Sequence, residues 1–318
     1  MLDFRIHTFL AVCRHMNFTR AAEELHITQP GVSRHIHQLE EAYGVRLFAY
    51  EGKKAVLTEA GRLLLEAAQT VKHDDAFLRE QLARLEDGHR RLHFGATLTV
   101  GAYVMPAAVG AYLRRHPDAR VQMEVANTRE LLGRLDAGKL DFAVVEGFFD
   151  KTSYDHLRYA SEPFVAVCAP GYPLPPEAKR LADLLGERLI TREPGSGTRT
   201  ILEKHLELQN LTLGDFRQVM EISSLEALKS LAMEGCGVTF LYQAAVRCEL
   251  ADGRLQEIEL EDFRYRHDFT FLWRKNSVFP AWYHRLFHEL GGVEAVSSSR
   301  RYAPARRNRM SPCSPPAR

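Results

Sequence analysis

Residues 17–43 read NFTRAAEELHITQPGVSRHIHQLEEAY, two short helical segments joined by a tight turn. Thr19 follows a break at Asn17-Phe18 and is suited to cap a helix over Arg20–Leu25. Ala21 and Ala22 are small enough to let a neighbouring helix approach closely. His26-Ile27-Thr28 is a connector, and Pro30 fits the first turn of a new helix, with Thr28 or Gln29 as its cap. In that second helix Val32, Ile36, Leu39 and Tyr43 share one apolar stripe. Gln29, Ser33 and His37 lie on the opposite side, with Arg34 beside them. A helix offering its N-terminal polar face after a short turn is the geometry that enters a DNA major groove. Gln can bond adenine, Arg guanine, and Ser either a base or a phosphate. The bland alternative is a three-helix cap with a solvated polar face.

The flanks favour the groove reading. Ile6, Phe9, Leu10 and Cys13 have helical spacing within 3–15, so a further helix buries one stripe there. Residues 44–60, GVRLFAYEGKKAVLTEA, offer an apolar anchor at Leu47-Phe48 and a loop centred on Gly52 with Lys53 and Lys54, then a short strand Ala55-Val56-Leu57. This reads as a wing, a basic hairpin that grips flanking phosphates.

Here the chain resembles the LysR-type transcriptional regulators. The resemblance rests on Phe9, Ala21-Ala22-Glu23-Glu24-Leu25, Thr28-Gln29-Pro30, Val32-Ser33, Ile36, Leu39-Glu40, Gly44-Val45-Arg46-Leu47-Phe48 and Leu57-Thr58-Glu59-Ala60-Gly61. Two positions depart from the family pattern. Gly31 stands where Ala is usual, and costs about 1 kcal/mol of helix propensity. Tyr50 stands where an Arg is usual, which puts one DNA contact in doubt. The resemblance implies DNA, a small effector, a second copy of the chain (dimer, then tetramer) and RNA polymerase as partners, with no membrane and no cofactor.

The 318 residues have room for two or three domains, with ordinary globular proportions of 45% hydrophobic and 26% charged residues. The net charge is only +1, so DNA affinity must come from local clustering. No apolar run approaches a membrane span, and Asp3, Arg5 and His7 interrupt any signal-peptide pattern, so a cytoplasmic location is expected. Cys13, Cys168, Cys236, Cys248 and Cys313 have no metal-like spacing. A redox-sensing regulator using Cys168, Cys236 and Cys248 is an alternative, as is a solute-binding receptor. No Ser/His/Asp, Cys/His or metal constellation marks an enzyme.

From Thr58 to about Asp87 only Gly61 interrupts a helical pattern, and Gly88 is expected to end it. Leu64, Ala68, Val71, Asp75, Leu78, Leu82 and Leu85 alternate at spacings of four and three, the signature of a helix paired with another helix. The helix is too long for the small N-terminal domain alone, and a symmetric dimer accounts for it. Two recognition helices at fixed separation imply an inverted-repeat operator. Asp75 is either a register device or a sign that the helices diverge.

Beyond residue 90 strands and helices alternate, which argues for parallel α/β layers. Strands are expected at 91–98, 120–126, 141–146, 188–193, 217–222 and 238–241. Helices are expected near 101–115, 128–137, 197–208 and 225–234. Two similar lobes imply a cleft. The expected organisation is a winged helix-turn-helix at 1–60, a dimerising linker helix at 61–89, and an effector domain at 90–295. Lobe 1 takes about 90–162 and 267–295, and lobe 2 about 163–266. The Ser/Pro/Arg-rich tail at 296–318 reads as disordered. The resemblance implies the same fold class, since the family's effector domain is similar to periplasmic binding proteins.

Ligands in such folds sit beyond strand ends at helix starts. Four such places stand out: Thr97-Leu98-Thr99, Asn127-Thr128, the loop Gly195-Ser196-Gly197-Thr198 before Arg199, and Ser223-Ser224. Each taken alone is an ordinary helix cap; in matching positions of two lobes they point to a small anion or carboxylate. A nucleotide phosphate loop would need a Gly-Lys-Ser/Thr that does not follow. Glu146, at the end of a strand, could repel an anion when charged, donate to one when protonated, or pair with an amine or with Arg199. The run from Arg192 to Arg199 with Glu146-Gly147 resembles the branch regulating sulfur or carbon-fixation genes, which implies oxyanions or phosphorylated and carboxylated metabolites as effectors.

Overall fold

The computed structural model describes residues 3–52, 54–87 and 90–292, and the side chains of 84–87 are outside it. Lys53, Gly88, Cys313, the Leu85 side chain and the tail at 296–318 therefore lie outside the described residues. Three helices open the chain: α1 (Phe4–His15), α2 (Phe18–Leu25) and α3 (Gln29–Tyr43). The cap of α2 is Asn17 rather than Thr19; its side-chain oxygen accepts from the backbone N–H of Thr19 and Arg20, so the helix begins earlier than expected. Thr28 caps α3 by accepting from the Gly31 N–H. Phe9, Val12, Ala21 and Val32 are fully buried, with Ile36, Leu39, Leu47 and Phe48 completing the core. Tyr43, expected in this stripe, is 56% exposed, because α3 ends in the left-handed turn at Gly44. The inward place belongs to Glu40 instead. Its carboxylate accepts from the Leu47 N–H at 2.8 Å and from Arg46 at 2.7 Å, tying the wing to α3 by charge-assisted bonds. The wing is an antiparallel hairpin of β1 (Phe48–Glu51) and β2 (Lys54–Leu57). Gly52 turns it at φ +62°, a left-handed conformation that favours glycine.

Helix α4 (Glu59–Asp87) is 29 residues long, about 43 Å. Its first turns join the N-terminal core through Ala68. Further along, another face docks on the second half of the chain. His73 Nε2 lies 3.0 Å from the Leu140 carbonyl, Asp74 accepts from Ser277 Oγ at 2.7 Å and the Val278 N–H at 2.9 Å, and Phe77 packs on Phe279 and Trp282. Part of the helix length thus has a partner within the same chain, which spacing alone did not reveal. Val71, Leu78 and Leu82 of the expected seam remain exposed. Asp75 bonds along its own helix to Arg79.

The remainder builds one nine-stranded sheet. Its elements in chain order are β3 (Arg91–Ala96), α5 (Met105–Arg115) after a π-helical turn at Val100–Val104, β4 (Arg120–Val125), α6 (Thr128–Asp136), β5 (Phe142–Val145), β6 (Tyr154–Cys168), β7 (Arg188–Thr191), α7 (Gly197–Leu208), β8 (Gln218–Glu221), α8 (Leu225–Met233), β9 (Val238–Tyr242), α9 (Gln243–Ala251), β10 (Gln256–Ile258), β11 (Tyr265–Arg274) and α10 (Pro280–Glu289). The order is β4-β3-β5-β11-β6-β9-β7-β8, with β10 on β6. The trios β4-β3-β5 and β9-β7-β8 are parallel, as alternating strand and helix require. Between them run β6 and β11, paired antiparallel from Tyr154↔Arg274 to Phe164↔Tyr265, with a bulge at Phe269/Thr270. Stacked Phe94, Phe142 and Phe271 fill one half of the core.

Candidate functional site

The N-terminal candidate surface is open. Gln29, Pro30, Arg34 and His37 are exposed on α3, with Ser33 half-buried and Thr28 exposed at the cap. Gln29 Nε2 donates to Ser33 Oγ at 3.0 Å, which orders the two side chains toward one face. His37 faces Glu41 at 3.2 Å, one turn on. Lys54 is exposed at the start of β2, and Tyr50 at the wing is 66% exposed. The arrangement presents a polar helix face beside a hairpin, which suits a groove and its flanking phosphates.

The second site lies where the two parallel trios meet across β6 and β11. Glu146, just past β5, is buried, and its Oε1 accepts from Thr198 Oγ1 at 3.4 Å across the two halves of the sheet. Thr99 also hydrogen-bonds this carboxyl group, while the Glu146 backbone N–H donates to Thr97 Oγ1 at 3.2 Å. Burial pushes the carboxyl up to about 7, against the opposing pull of the Thr99 bond, the Arg192 charge and the Thr198 bond. Thr97, Thr99, Thr128, Ser196 and Thr198 are all buried. A Cβ on Gly197 would stand 3.0 Å from Glu146 Cγ, and one on Gly147 would stand 2.4 Å from Thr128 Oγ1. Gly197 is what lets the halves approach so closely, and Gly147 lets the end of β5 sit against the start of α6 within one half.

Several buried polar atoms here have no protein partner among the described residues: Glu146 Oε2, Thr128 Oγ1 and Arg192 Nη1. Ser196 holds the cap position of α7, yet its side chain makes no capping bond. Unpaired buried groups cost roughly 1–3 kcal/mol each, so such a cluster is suited to a polar guest that satisfies them.

Not every expected residue joins the cluster. Ser223 is exposed, and the cap of α8 is Ser224, which accepts from the Ala227 N–H. Asn127 is committed to capping α6 through the Glu130 N–H. Gly195 is exposed at φ +90° and shapes the loop, and Leu98 is half-buried between the two threonines. Arg199 pairs with Glu203 and Glu221 rather than with Glu146. Sequence reasoning named Arg192 only as the start of a run and gave it no role in the site; it is 1% exposed, binds Glu193 through Nε and Nη2, and keeps Nη1 unpaired among the described residues. A lone cation directly after the buried strand Leu189-Ile190-Thr191 was the available signal. It also left out Tyr242, whose hydroxyl donates to the Glu146 carbonyl at 3.3 Å.

Cys168 shows no such preparation. Cys168 is buried and its thiol is pushed up by burial, opposite to what a reactive thiolate needs. Among the described residues no helix is long and apolar enough to cross a membrane.

Comparison with known proteins agrees with this geometry. Residues 5–62 match the family described as bacterial regulatory helix-turn-helix protein, lysR family, and residues 86–290 match the LysR substrate binding domain. The chain is 34% identical over 263 residues to a RuBisCO operon transcriptional regulator of Acidithiobacillus ferrooxidans, covering 81% of this chain and 83% of that one. It is 33% identical over 277 residues to the HTH-type transcriptional activator CmpR of Synechocystis, covering 86% and 89%. Among solved structures, the full-length regulator LysG of Corynebacterium glutamicum with bound effector Arg has the same fold, with TM-score 0.61 and 17% identity over 93% of this chain and all of that one.

Proposed function

The chain belongs to the LysR family of DNA-binding transcriptional regulators that respond to small effectors, and from that premise we propose that its effector is a small oxyanion or an anionic carboxylated or phosphorylated metabolite. The observation that carries this reading is the buried Glu146 between Thr99 and Thr198, with Arg192 Nη1 and Thr128 Oγ1 unpaired. A carboxyl held near pH 7 presents a proton to an anion instead of a charge. Arg192 supplies the countercharge, and Thr97, Ser196 and the start of α7 supply short-range donors. The two relatives carry names that tie them to carbon-fixation genes in one case and to transcriptional activation in the other, which agrees with a metabolite as signal.

In this reading residues 1–60 contact an inverted-repeat operator through Gln29, Ser33, Arg34, Lys53 and Lys54, and residues 61–89 dimerise. Residues 90–295 close on the effector between a lobe of about 90–162 plus 267–295 and a lobe of about 163–266. Pairs of dimers form the working assembly on DNA, in the cytoplasm, and act on RNA polymerase. The effector works through its differential affinity for two arrangements of the assembly.

A thermal-shift series on the full chain tests this, with sulfate, phosphate and phosphoglycolate against glycerol and methylamine. Anions raise the midpoint, and more so at pH 6 than at pH 8, because Glu146 gains its proton. A rise with methylamine and none with any anion overturns the reading.

A further inference from the structure

Tyr103 stands in the π-helical turn after β3, four residues past Thr99, yet its ring packs against the core of the opposite half of the sheet, beside Leu228, Leu241 and Val246. Every other described residue of that core and its rim lies between 165 and 255. The Tyr103 hydroxyl donates to Glu226 and accepts from Lys229 Nζ at 3.0 Å, both on α8, and the Lys229 ammonium stands 4.8 Å from the ring centre. Glu226 is exposed, so water weakens its share of the contact. Lys229 is 3% exposed, and within its own half it pairs with Glu249 of α9 at 2.9 Å. A buried ammonium is costly without partners. With the halves together Tyr103 is one of them; with the halves apart water takes its place. The contact is therefore reversible, as packing within one half is not. Burial, then the Glu226 bond, pushes the phenol up to about 12, so Tyr103 remains a neutral donor.

The two faces of this half carry different helices. α7 packs on the face that holds Phe164, Ala166 and Phe240, while α8 and α9 pack on the face that holds Val165, Val167 and Leu241. The Glu146–Thr198 contact, at the start of α7, and the Tyr103–Lys229 contact thus brace opposite faces. We propose that Tyr103 is a clasp, a positioning residue that holds the cleft shut from the α8 side and sets how readily water or a guest reaches Glu146. Its hydrogen bonds go to α8 rather than to the cleft threonines. It acts through Thr99, which opens the same turn and bonds the Glu146 carboxyl. A shift of either residue reaches the other through about one helical turn, and π-helical turns recur at functional sites.

The clasp needs no guest, so ligand-free full chain tests it, and its failure leaves the anion reading of the cleft untouched. Hydrogen exchange read by mass spectrometry is the measurement. The amides of Gly197, Thr198 and Arg199 precede the first helical bond of α7, which Thr200 donates, so their exchange reports water reaching the cleft rather than the helix unfolding. Tyr103→Phe keeps the ring and removes the hydroxyl. Exchange in peptides covering 195–200 quickens by about tenfold, the worth of one charge-assisted bond. Lys229→Gln quickens it likewise, and the two changes together do no more than either alone, since both remove one contact. Ile258→Val trims the core on β10 and lowers the melting midpoint without quickening exchange at 195–200. Unchanged exchange there in Tyr103→Phe, additive effects of Tyr103→Phe and Lys229→Gln, or the same quickening by Ile258→Val overturns the clasp.

Discussion

The carboxyl of Glu146 and the hydroxyl of Thr198 belong to opposite halves of one sheet and meet at 3.4 Å. The contact makes the protonation of one side chain a property of how the two halves sit together. Burial holds the proton on Glu146 up to about pH 7, well above its ordinary value of 4.5.

Glu146→Gln separates the charge from the hydrogen-bonding shape. A carboxyl whose folded pKa is raised is protonated in both states below about 4.5. Between there and about 7 only the unfolded chain ionises, so folding stability falls with rising pH, by at most about 3 kcal/mol. Glutamine removes that loss. The variant gains midpoint temperature over the parent at pH 8 and gains nothing at pH 4. An equal gain at both pH values contradicts a proton held on Glu146.

Arg192→Lys keeps the charge and removes the planar fork. Anion affinity drops by about tenfold, in line with the loss of one charge-assisted bond, while binding to DNA without effector persists. Calorimetry and a gel shift on the same preparation read the two halves of this statement. A parallel loss in both assays marks Arg192 as a structural residue only.

Arg34→Ala and Lys54→Ala differ in kind. On the proposed docking of α3, the first relaxes base preference by about 1–3 kcal/mol at one operator position, since the exposed Arg34 is the proposed base contact. The second weakens operator and random DNA alike and lowers the salt slope by about one. Competition gel shifts at several salt concentrations separate the two outcomes.

On α4, neighbouring residues play opposite parts. Phe77→Ala removes a ring packed on Phe279 and Trp282 and costs about 3–5 kcal/mol of stability. Leu78→Glu leaves the monomer within about 0.5 kcal/mol, since Leu78 is exposed, but shifts sedimentation toward monomer. A dimer unchanged by Leu78→Glu combined with Val71→Glu places the dimer contact elsewhere.

The helix-turn-helix was legible because its signals are local: Thr28, Pro30 and the stripe of Val32, Ile36 and Leu39 act within a few turns. The α/β alternation was legible for the same reason, since α6 and α8 each run from a capping residue to a glycine turn before a buried apolar strand, β5 and β9. What escaped depends on distant partners. Tyr154–Cys168 runs as one strand through Arg158, Ser161, Glu162 and Pro163, a polar middle that reads as a crossing rather than as sheet. His73 and Asp74 look like solvated helix residues until Leu140 and Ser277 supply their partners. Arg192 looks like surface in the sequence, yet it is 1% exposed in the fold. Ser223 and Thr19 show a local ambiguity, where a nearby capping residue, Ser224 in one case and Asn17 in the other, takes the cap and backbone geometry decides.

The two halves of the sheet are joined through β6 and β11, and between Ala160↔Phe269 and Pro163↔Arg266 these strands pair only with each other. Such a ribbon behaves as a torsion bar. It can wind or unwind by small changes spread over many backbone angles with every ladder bond kept, so opening the cleft gives up the Glu146–Thr198 contact without disrupting the ribbon that joins the halves. The resting twist of that bar, set partly by the bulge at Phe269/Thr270, then fixes how far the cleft stands open without a ligand.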